Sequence, residues 1–218
     1  MSTTSSAKAI AKIIDKLPVT MPIVMKKYTR LASSEDNLRK IFSRFMQSGK
    51  LEKIVTGIYC KPRMVKTYKI YPAVNDIARA ISEQTGEKIV IFGADAIRLL
   101  GLSTQITVKP VFYTSGQSRT IKVGNNDIKF ENINSKFINT SSTIQLILSA
   151  AYYLGKDKFT LDDLDIVEQN INLITQNDKS FNAILLKCET IKVKWVSKLL
   201  ADYARQKGLF NAVTVSHA

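Results

Sequence analysis

The segment from Ser33 to Pro62 constrains the fold most, because a helical pattern is followed directly by a strand pattern. Its sequence is SSEDNLRKIFSRFMQSGKLEKIVTGIYCKP. Apolar residues first recur at intervals of three and four, which predicts an amphipathic helix whose inner face carries Leu38, Ile41, Phe42, Phe45 and Met46. Ser33 or Ser34 can cap its start, since a serine oxygen accepts hydrogen bonds from unpaired backbone amides. Gly49 is well placed to end it.

The residues after this helix alternate between apolar and polar side chains. The runs LEKIV and GIYCK flank the turn Thr56-Gly57, which predicts a β-hairpin that ends at Pro62. A hairpin of this size is not stable alone, so it has to pack against the preceding helices. Two such helices are predicted upstream, one from Ala7 to Leu17 and a less regular one from about Met21 to Leu31.

Three helices followed by a two-stranded hairpin are the element order of a winged helix-turn-helix domain. Its third helix enters the major groove of DNA, and its hairpin lies along the neighbouring sugar-phosphate backbone. Four residues on the outer face of the third helix are predicted to contact bases: Asn37, Lys40, Ser43 and Arg44. Six residues are predicted to contact the DNA backbone: Ser34, Arg39, Gln47, Lys50, Lys53 and Lys61. An ordinary solvated helix face is the alternative interpretation.

The positive charge of the chain is concentrated in its first third. Residues 1–71 contain 15 Lys and Arg against 4 Asp and Glu, a balance of +11, whereas residues 72–218 contain 17 against 14, a balance of +3. This difference predicts a basic domain over 1–71 joined to a nearly neutral domain over 72–218. A strong positive excess favours a polyanionic partner such as DNA.

The segment RKIFSRFMQSGKLEKIVTGIYCKP resembles the N-terminal winged helix of AbiEi-type antitoxins, which repress transcription in bacterial abortive-infection toxin–antitoxin systems. The residues that carry the resemblance are Phe42, Ser43, Arg44, Phe45, Gly49, Lys50, Leu51, Gly57, Ile58 and Tyr59. The segments YPAVNDIARAI, FGADAIRLLGLSTQ and YTSGQSRTIKVGNNDIKFENI are similar to the domain that follows in one branch of that family. The resemblance covers about residues 7–155 and leaves 156–218 unassigned.

The resemblance implies a cytoplasmic, non-enzymatic protein that binds double-stranded DNA and represses its own promoter through inverted repeats. It also implies neutralisation of a nucleotidyltransferase-like toxin encoded alongside, without a stable complex in the better studied members. Relatives that act only as regulators would have no such toxin. The expected state is a monomer or a weak dimer.

The region after residue 71 has the pattern of a mixed α/β domain with a helical C-terminal region, so the whole chain is predicted to be α+β. The Asn125-Asn126 pair is the expected turn between its last two strands, and Ser141 or Ser142 is the expected cap of the following helix. The predicted helices are 73–85, 94–101, 140–155, 161–174, 180–188 and 191–206, and the predicted strands are 88–92, 107–114, 119–124 and 127–133.

An enzyme is the least favoured class. A nucleotidyltransferase site needs two or three carboxylates that converge on Mg²⁺. Asp95 follows a strand-like run, but nothing in the sequence brings Asp127 or Glu131 to it, and there is no glycine-rich loop ending in Gly-Lys-Ser/Thr. Asp95 is interpreted as a first-turn helix residue, and the acidic run DDLD at 162–165 as a helix start. We therefore expect no catalytic residues, no metal and no cofactor.

Two further features have a functional and a structural interpretation. The run TSGQSR at 114–119 could bind an anion or a partner, or could be an ordinary strand connection. Cys60 and Cys188 are too few for a disulfide framework and lack metal-ligand spacing, so they are expected to be small buried hydrophobes in a reducing compartment. With one histidine, His217, near the end of the sequence, a histidine-based site is not expected.

No run approaches the roughly 20 apolar residues of a membrane span, and the first residues lack a signal-peptide core, so a cytoplasmic location is expected. Three hypotheses are left open. The first is a DNA-binding repressor and antitoxin. The second is a winged-helix adaptor that binds a protein or RNA, because a fold alone does not fix a function. The third is a nucleotide-handling enzyme.

Overall fold

The computed structural model describes residues 3–105, 109–138, 142–174 and 181–209. It divides the chain into two compact units, one formed by Met1–Ile89 with Lys109–Glu131 and the other by Val90–Val108 with Asn132–Ala218. Runs of short strands and runs of helices follow one another along the chain, as predicted for the α+β class.

The first unit begins with helices and short strands and continues into a larger sheet. Its elements are α1 (Thr3–Lys16), β1 (Ile23–Val24), a 3-10 helix (Met25–Leu31), α2 (Glu35–Gln47), β2 (Glu52–Val55), β3 (Ile58–Cys60), β4 (Met64–Val65), β5 (Tyr68–Lys69), α3 (Val74–Thr85), β6 (Ile89–Ile91), β7 (Val111–Thr114), β8 (Arg119–Val123) and β9 (Asn126–Asn132). The ends of β6 and β9 extend into the second unit.

Helix α2 is the predicted third helix, and the residues that the sequence indicated set its ends. The side-chain oxygen of Ser34 accepts a hydrogen bond from the backbone amide of Asn37 at 3.1 Å. Glu35 and Asp36 occupy the first turn, where the helix dipole favours carboxylates. Past the last turn, Gly49 has a φ of 71°, the left-handed conformation that terminates many helices. The predicted helix and its N-cap are confirmed.

The predicted second helix is preceded by a strand that the sequence did not indicate. Ile23 and Val24 form β1, which pairs antiparallel with Tyr59 and Ile58 of β3. Only Met25–Leu31 is helical, and it is a 3-10 helix. A strand of two residues has no detectable period, so the sequence pattern merged it with the helix. The helix predicted at 7–17 is confirmed as α1, which starts earlier, at Thr3.

The predicted hairpin is confirmed and forms part of a three-stranded sheet in the order β1-β3-β2. Val55 lies opposite Ile58 across the turn, with a register irregularity after Lys53. Gly57 has a φ of 80°, which glycine adopts without strain. Because β3 is the central strand, all three of its residues are buried.

The core of the first unit extends past the predicted domain boundary between residues 71 and 72. Ile54 and Ile58 of the hairpin belong to one apolar cluster with Ile77 and Ile81 of α3 and with Phe130 of β9. The compact unit therefore includes α3 and much of the larger sheet in addition to residues 1–71. The charge imbalance could not indicate this extension, since the shared core consists of apolar residues.

The connector 63–72 contains a second hairpin that the sequence did not indicate. Strands β4 and β5 pair antiparallel, with Met64 opposite Lys69 and Val65 opposite Tyr68. The backbone amide of Ile70 donates to the carbonyl oxygen of Arg63 at 2.9 Å, which continues the ladder by one bond. Strands of two residues are again too short for an alternating pattern to be recognised.

The larger sheet has the strand order β6-β7-β9-β8. Strands β8 and β9 are antiparallel, and Val123 lies opposite Asn126. The turn between them is thus Gly124-Asn125 rather than the predicted Asn125-Asn126, and Gly124 takes the positive φ, at 60°. The other predicted strands are present; the one expected at 107–114 is formed over Val111–Thr114, and residues 107–108 lie outside the described residues.

The second unit is largely helical in its described part, as predicted for the C-terminal region. Its elements are α4 (Gly93–Leu99), a 3-10 helix (Ser135–Phe137), α5 (Ser142–Leu154), α6 (Leu161–Ile174), α7 (Phe181–Leu185), a 3-10 helix (Cys188–Thr190) and α8 (Lys194–Gln206). The predicted cap Ser141 lies outside the described residues, as does the side chain of Ser142. None of the described helices combines the length and apolar character that a membrane span requires.

A polar cluster joins α6 and α8 at the edge of the second unit's core. The hydroxyl of Tyr203 lies 2.6 Å from Asp165 and 2.9 Å from Glu168, which share its one proton as acceptors, and Lys207 forms ion pairs with both carboxylates. Burial of the ring, reinforced by the two carboxylates, raises the pKa of Tyr203. The cluster satisfies the one polar atom of a tyrosine ring that is otherwise fully buried.

Candidate nucleic-acid interface

The apolar face of α2 is buried around Phe42. The Phe42 ring is fully buried, and its centroid lies 4.9 Å from that of Tyr59, 5.7 Å from that of Tyr28 and 6.1 Å from that of Phe45. These rings belong to β3, the 3-10 helix and α2 itself. The aromatic cluster therefore fixes the rotation of α2 about its axis, and with it the direction of the opposite, polar face.

Two of the predicted base-contacting residues have free charges. Lys40 and Arg44 are exposed and lie one helical turn apart, which places their side chains on one face. Within the described residues, neither forms an ion pair. Ser43 is half-buried on the same helix. The outer face of α2 thus presents two adjacent cations to solvent.

Asn37, the remaining predicted base-contacting residue, is less available. Its side chain is half-buried, and its Oδ1 is buried without a hydrogen-bond partner in the described part of the chain. An adenine contact needs both the oxygen and the nitrogen of an asparagine amide. Asn37 would have to change rotamer to make that contact, whereas Lys40 and Arg44 would not have to break an ion pair.

Two predicted backbone contacts at the start of α2 already have intramolecular partners. Ser34 is the N-cap described above. The Arg39 guanidinium lies 2.6 Å from Glu35 and 3.6 Å from Asp36. All three charged side chains are exposed, so these ion pairs are weak and can exchange for a phosphate.

Lys50 and Lys61 are bound to α1 rather than free. The Lys50 ammonium lies 2.8 Å from Asp15, and it also lies 5.7 Å from the ring centroid of Phe45. The Lys61 ammonium donates to the carbonyl oxygens of Asp15 at 2.9 Å and Leu17 at 2.7 Å. These carbonyls lie at the C-terminal end of α1, which a cation stabilises. Lys61 therefore acts as a helix cap.

Lys53 and Gln47 remain exposed, and Lys53 forms no ion pair within the described residues. Lys53 lies on β2, one of the two edge strands of its sheet. Of the six predicted backbone contacts, these two are the ones whose side chains the described structure leaves uncommitted.

The turn of the hairpin β2–β3 packs against α3. Gly57 is buried, and its carbonyl oxygen accepts a hydrogen bond from the Met25 amide at 2.8 Å. A Cβ on Gly57 would lie 2.6 Å from the side chain of Gln84, whose Oε1 in turn accepts from the amide of Lys26. No sequence pattern indicates this contact, because Gln84 belongs to the region assigned to the following domain.

Helix α1 presents a further row of cations that the sequence-based assignment missed. Lys8, Lys12 and Lys16 are exposed at intervals of four residues and have no ion pair within the described part of the chain. The spacing was the available indication, since residues four apart share a helix face. These lysines add to the uncompensated positive charge of the first unit.

Two of the three carboxylates considered for catalysis, Asp95 and Glu131, form ion pairs with neighbouring residues, and the third, Asp127, is exposed on β9. Asp95 lies in the first turn of α4, and its carboxylate is 3.6 Å from Arg98. Glu131 pairs with Lys129 on the same strand at 2.6 Å. Asp163 accepts a hydrogen bond from the Thr160 amide at 2.8 Å, as expected of a helix-start residue. In the described residues, no group of three or more His, Cys, Asp or Glu side chains is placed to hold a metal ion.

Bonds to Glu87 of the first unit hold the run TSGQSR in place. Arg119 forms an ion pair with Glu87 at 2.7 Å, and the hydroxyl of Thr114 donates to the same carboxylate at 3.0 Å. The amide of Gly116 donates to Thr114. These bonds favour the interpretation of the run as a strand connection.

Both cysteines are buried, which confirms the prediction that they are small core residues. Burial raises the pKa of the Cys60 thiol to about 11, and the carboxylate of Glu52 on the adjacent strand adds to the shift. The thiolate is the reactive form of cysteine, and burial together with the raised pKa disfavours this form of Cys60 at neutral pH.

Comparison with known proteins identifies one family. Neither the curated proteins nor the solved structures contain a match to this chain. The family model described as "Family of unknown function (DUF6088)" matches residues 9–182, which include the whole of α1 to α6 apart from the first residues of α1. The chain therefore belongs to the DUF6088 family.

Proposed function

We propose that the chain is a sequence-specific, double-stranded-DNA-binding transcriptional repressor of its own operon, located in the cytoplasm, in which residues 3–61 form a winged helix-turn-helix. In this proposal α2 enters the major groove. Lys40 and Arg44 contact base edges, with Ser43 between them, and Lys53 and Gln47 contact phosphates.

The order of elements supports this assignment. The 3-10 helix and α2 form the helix-turn-helix pair, α1 packs beside them, and β1 joins the hairpin β2–β3 in one small sheet. A helix that reads DNA has to expose one face along its length while the other holds it on its domain. Helix α2 meets both conditions.

The observation that carries the proposal is the pair of free cations on α2. Other cations of the first unit are already paired: Lys27 of the 3-10 helix lies 2.6 Å from Glu83, and Arg39 of α2 itself lies 2.6 Å from Glu35. Lys40 and Arg44 are exposed one turn apart without an ion pair in the described residues. Their desolvation by DNA therefore does not require an intramolecular ion pair to break.

The antitoxin role depends on the resemblance to AbiEi-type antitoxins. In that proposal the operon also encodes a nucleotidyltransferase-like toxin, and repression acts through inverted repeats in the promoter. A monomer or weak dimer would then occupy two half-sites, whose spacing reflects the symmetry of the bound pair. The adjoining reading frame tests this part directly, since the proposal requires a nucleotidyltransferase-like protein there.

The DNA-binding role is tested with the full chain and a labelled duplex from upstream of its own gene. Binding measured by fluorescence anisotropy is expected to exceed binding to a scrambled duplex and to weaken steeply as salt rises, because phosphate contacts release counterions. Equal and salt-insensitive binding to both duplexes would contradict the proposal.

The second candidate is an adaptor that binds a protein or RNA through the same domain. The observation that favours it is the commitment of Lys50, Lys61 and the buried turn at Gly57 to contacts within the chain. A wing held in this way has fewer groups for a DNA backbone. An adaptor is expected to ignore the upstream duplex while retaining a partner in a pull-down.

A further inference from the structure

The hairpin β4–β5 exposes apolar and basic side chains together. Tyr68 is 73% exposed, Met64 56% and Val65 44%. Neighbouring exposed apolar side chains, such as Val65 and Tyr68, are a common feature of interaction surfaces. The segment 63–70 also carries three cations and no acidic residue.

The two faces of this hairpin differ. Residues that lie opposite each other in a hairpin share a face, so Val65 and Tyr68 share one face and Met64 and Lys69 share the other. The Lys69 ammonium lies 2.9 Å from Glu52 on β2, which directs its face toward the body of the unit. The Val65–Tyr68 face therefore points away, and alternation adds Arg63 to it.

The turn of the hairpin holds a cation in an unfavourable conformation. Lys66 has a φ of 56°, and among the described non-glycine residues it alone has a positive φ. This conformation is disfavoured for a lysine and is usually taken by glycine or asparagine. Strained backbone conformations cluster at functional sites, so the side chain of Lys66 is a candidate for contact with a partner. Neither Lys66 nor Arg63 forms an ion pair in the described part of the chain.

The base of the hairpin is linked through Glu52 to the residues that follow α2. The amide of Leu51 donates to the carbonyl oxygen of Phe45 in the last turn of α2 at 3.1 Å, and Glu52 follows directly. Glu52 then accepts bonds from Lys69 and from the Tyr71 hydroxyl, both at 2.9 Å. The bond from Leu51 to Phe45 and the bonds that Glu52 accepts thus link the last turn of α2, which carries Arg44, to the base of the hairpin.

We propose that the β4–β5 hairpin is a second DNA-contacting element, which binds the sugar-phosphate backbone beside the groove that α2 occupies. Arg63 and Lys66 bind phosphates, and Tyr68 packs its ring on a deoxyribose and donates its hydroxyl to a phosphate oxygen. This inference rests on the proposed function and adds to it a contact outside residues 3–61. Duplex DNA is the favoured occupant because Arg63 and Lys66 have no ion pair within the described residues, and the phosphates of DNA would supply the missing anions.

The test uses the full chain with the upstream duplex and a scrambled duplex. The main variant is Arg63→Ala with Lys66→Gly, since glycine removes the ammonium and fits the positive φ without strain. Tyr68→Ala and Tyr68→Phe separate the ring from its hydroxyl. The matched control is Lys156→Ala with Lys158→Ala, which removes two exposed cations from the second unit. Thermal unfolding of each variant reports its folding.

The double variant is expected to lower affinity for both duplexes by the same factor, on the order of tenfold. It is also expected to reduce the slope of log affinity against log salt by about 2. Tyr68→Ala is expected to weaken binding several-fold and Tyr68→Phe less. The control is expected to match the parent.

Three results would overturn the proposal, and each identifies a different cause. If Lys40→Ala weakens binding while the double variant keeps the parental slope, the hairpin proposal fails and the proposed function stands. If the parent binds neither duplex, both fail together. If the double variant alters the sedimentation of the free protein and leaves DNA affinity unchanged, the hairpin contacts a second copy of the chain.

Discussion

The outer face of α2 and the base of the hairpin β2–β3 both carry lysines, yet their cations have different surroundings. Lys40 is exposed and has no ion pair within the described residues, whereas Lys61 donates two hydrogen bonds to the end of α1. Lys50 is likewise paired with Asp15. The net charge of a segment therefore overstates the charge that is available to a partner, because some of its cations stabilise the fold itself.

The largest expected effect comes from Phe42, whose ring packs between α2 and the hairpin strand β3. Phe42→Ala removes a fully buried ring between α2, β3 and the 3-10 helix, and it is expected to destabilise the first unit by about 3–5 kcal/mol. Urea unfolding measures this change. Lys40→Ala is the control and is expected to stay within about 0.5 kcal/mol of the parent. A Phe42→Ala protein with parental stability would show that this ring does not fix α2.

The α2 face is tested by Lys40→Ala and Arg44→Ala. Each is expected to weaken binding to the upstream duplex by about 1–3 kcal/mol and to reduce discrimination against the scrambled duplex, as loss of a base contact does. Anisotropy titrations with both duplexes measure the two quantities. If both variants bind the two duplexes as the parent does, the assignment of the base-reading face is wrong.

Lys61→Met tests the lysines that are bound to α1. It keeps most of the aliphatic stem and removes the ammonium that caps α1, so stability is expected to fall by about 1–2 kcal/mol. Affinity of the folded protein for DNA is expected to stay within twofold. Unfolding and binding measured on one preparation separate the two effects. A loss of affinity without a loss of stability would show that Lys61 contacts the DNA backbone instead of capping α1.

Lys53→Ala tests the exposed lysine of the hairpin β2–β3. Its free ammonium is expected to contact a phosphate, so the variant should bind all duplexes more weakly by about 0.5–1 kcal/mol and lose about 1 from the salt slope. Titrations at several salt concentrations measure the slope. A change confined to the upstream duplex would place Lys53 at a base instead.

The smallest expected effect is a pH dependence at Glu52. Its hydrogen bond with Lys69, assisted by Tyr71, holds the pKa of Glu52 below its usual value of 4.5. A pKa that is lower in the folded state contributes stability above the unfolded value, and that stability is lost as pH falls through the folded value. Glu52→Gln is therefore expected to be less stable than the parent at pH 7, with the difference vanishing in acid. A difference that persists unchanged at low pH would contradict this assignment.

Local patterns predicted most of the elements. The cap at Ser34, the stripe of α2, the terminating Gly49 and the turn at Thr56-Gly57 each depend on neighbours within one element, so the sequence was sufficient for them. The two-residue strands β1, β4 and β5 were missed because they are too short to show a period. The turn at Gly124 was displaced by one residue because Asn125 suits either position.

The candidate site was harder to predict than the fold. Exposure of Lys40 and Arg44 follows from helical period alone, whereas the partners of Lys50 and Lys61 lie on α1, 35 and 44–46 residues away. Nothing local distinguishes a lysine that will cap a distant helix from one that will stay free. The burial of Asn37 Oδ1 and the packing of Gly57 on Gln84 likewise result from tertiary packing, which no local pattern indicates.

DNA cleavage from the outer face of α2 tests most directly whether this helix enters the major groove. Gln47 is exposed there, and the native cysteines are buried, so Gln47→Cys can be labelled selectively with an iron chelate that cuts nearby DNA. The same label on Lys187→Cys, an exposed position of the second unit, is the control. We predict cleavage focused within the upstream binding site from position 47 and none there from position 187. A bound duplex that position 47 leaves uncut would contradict the account.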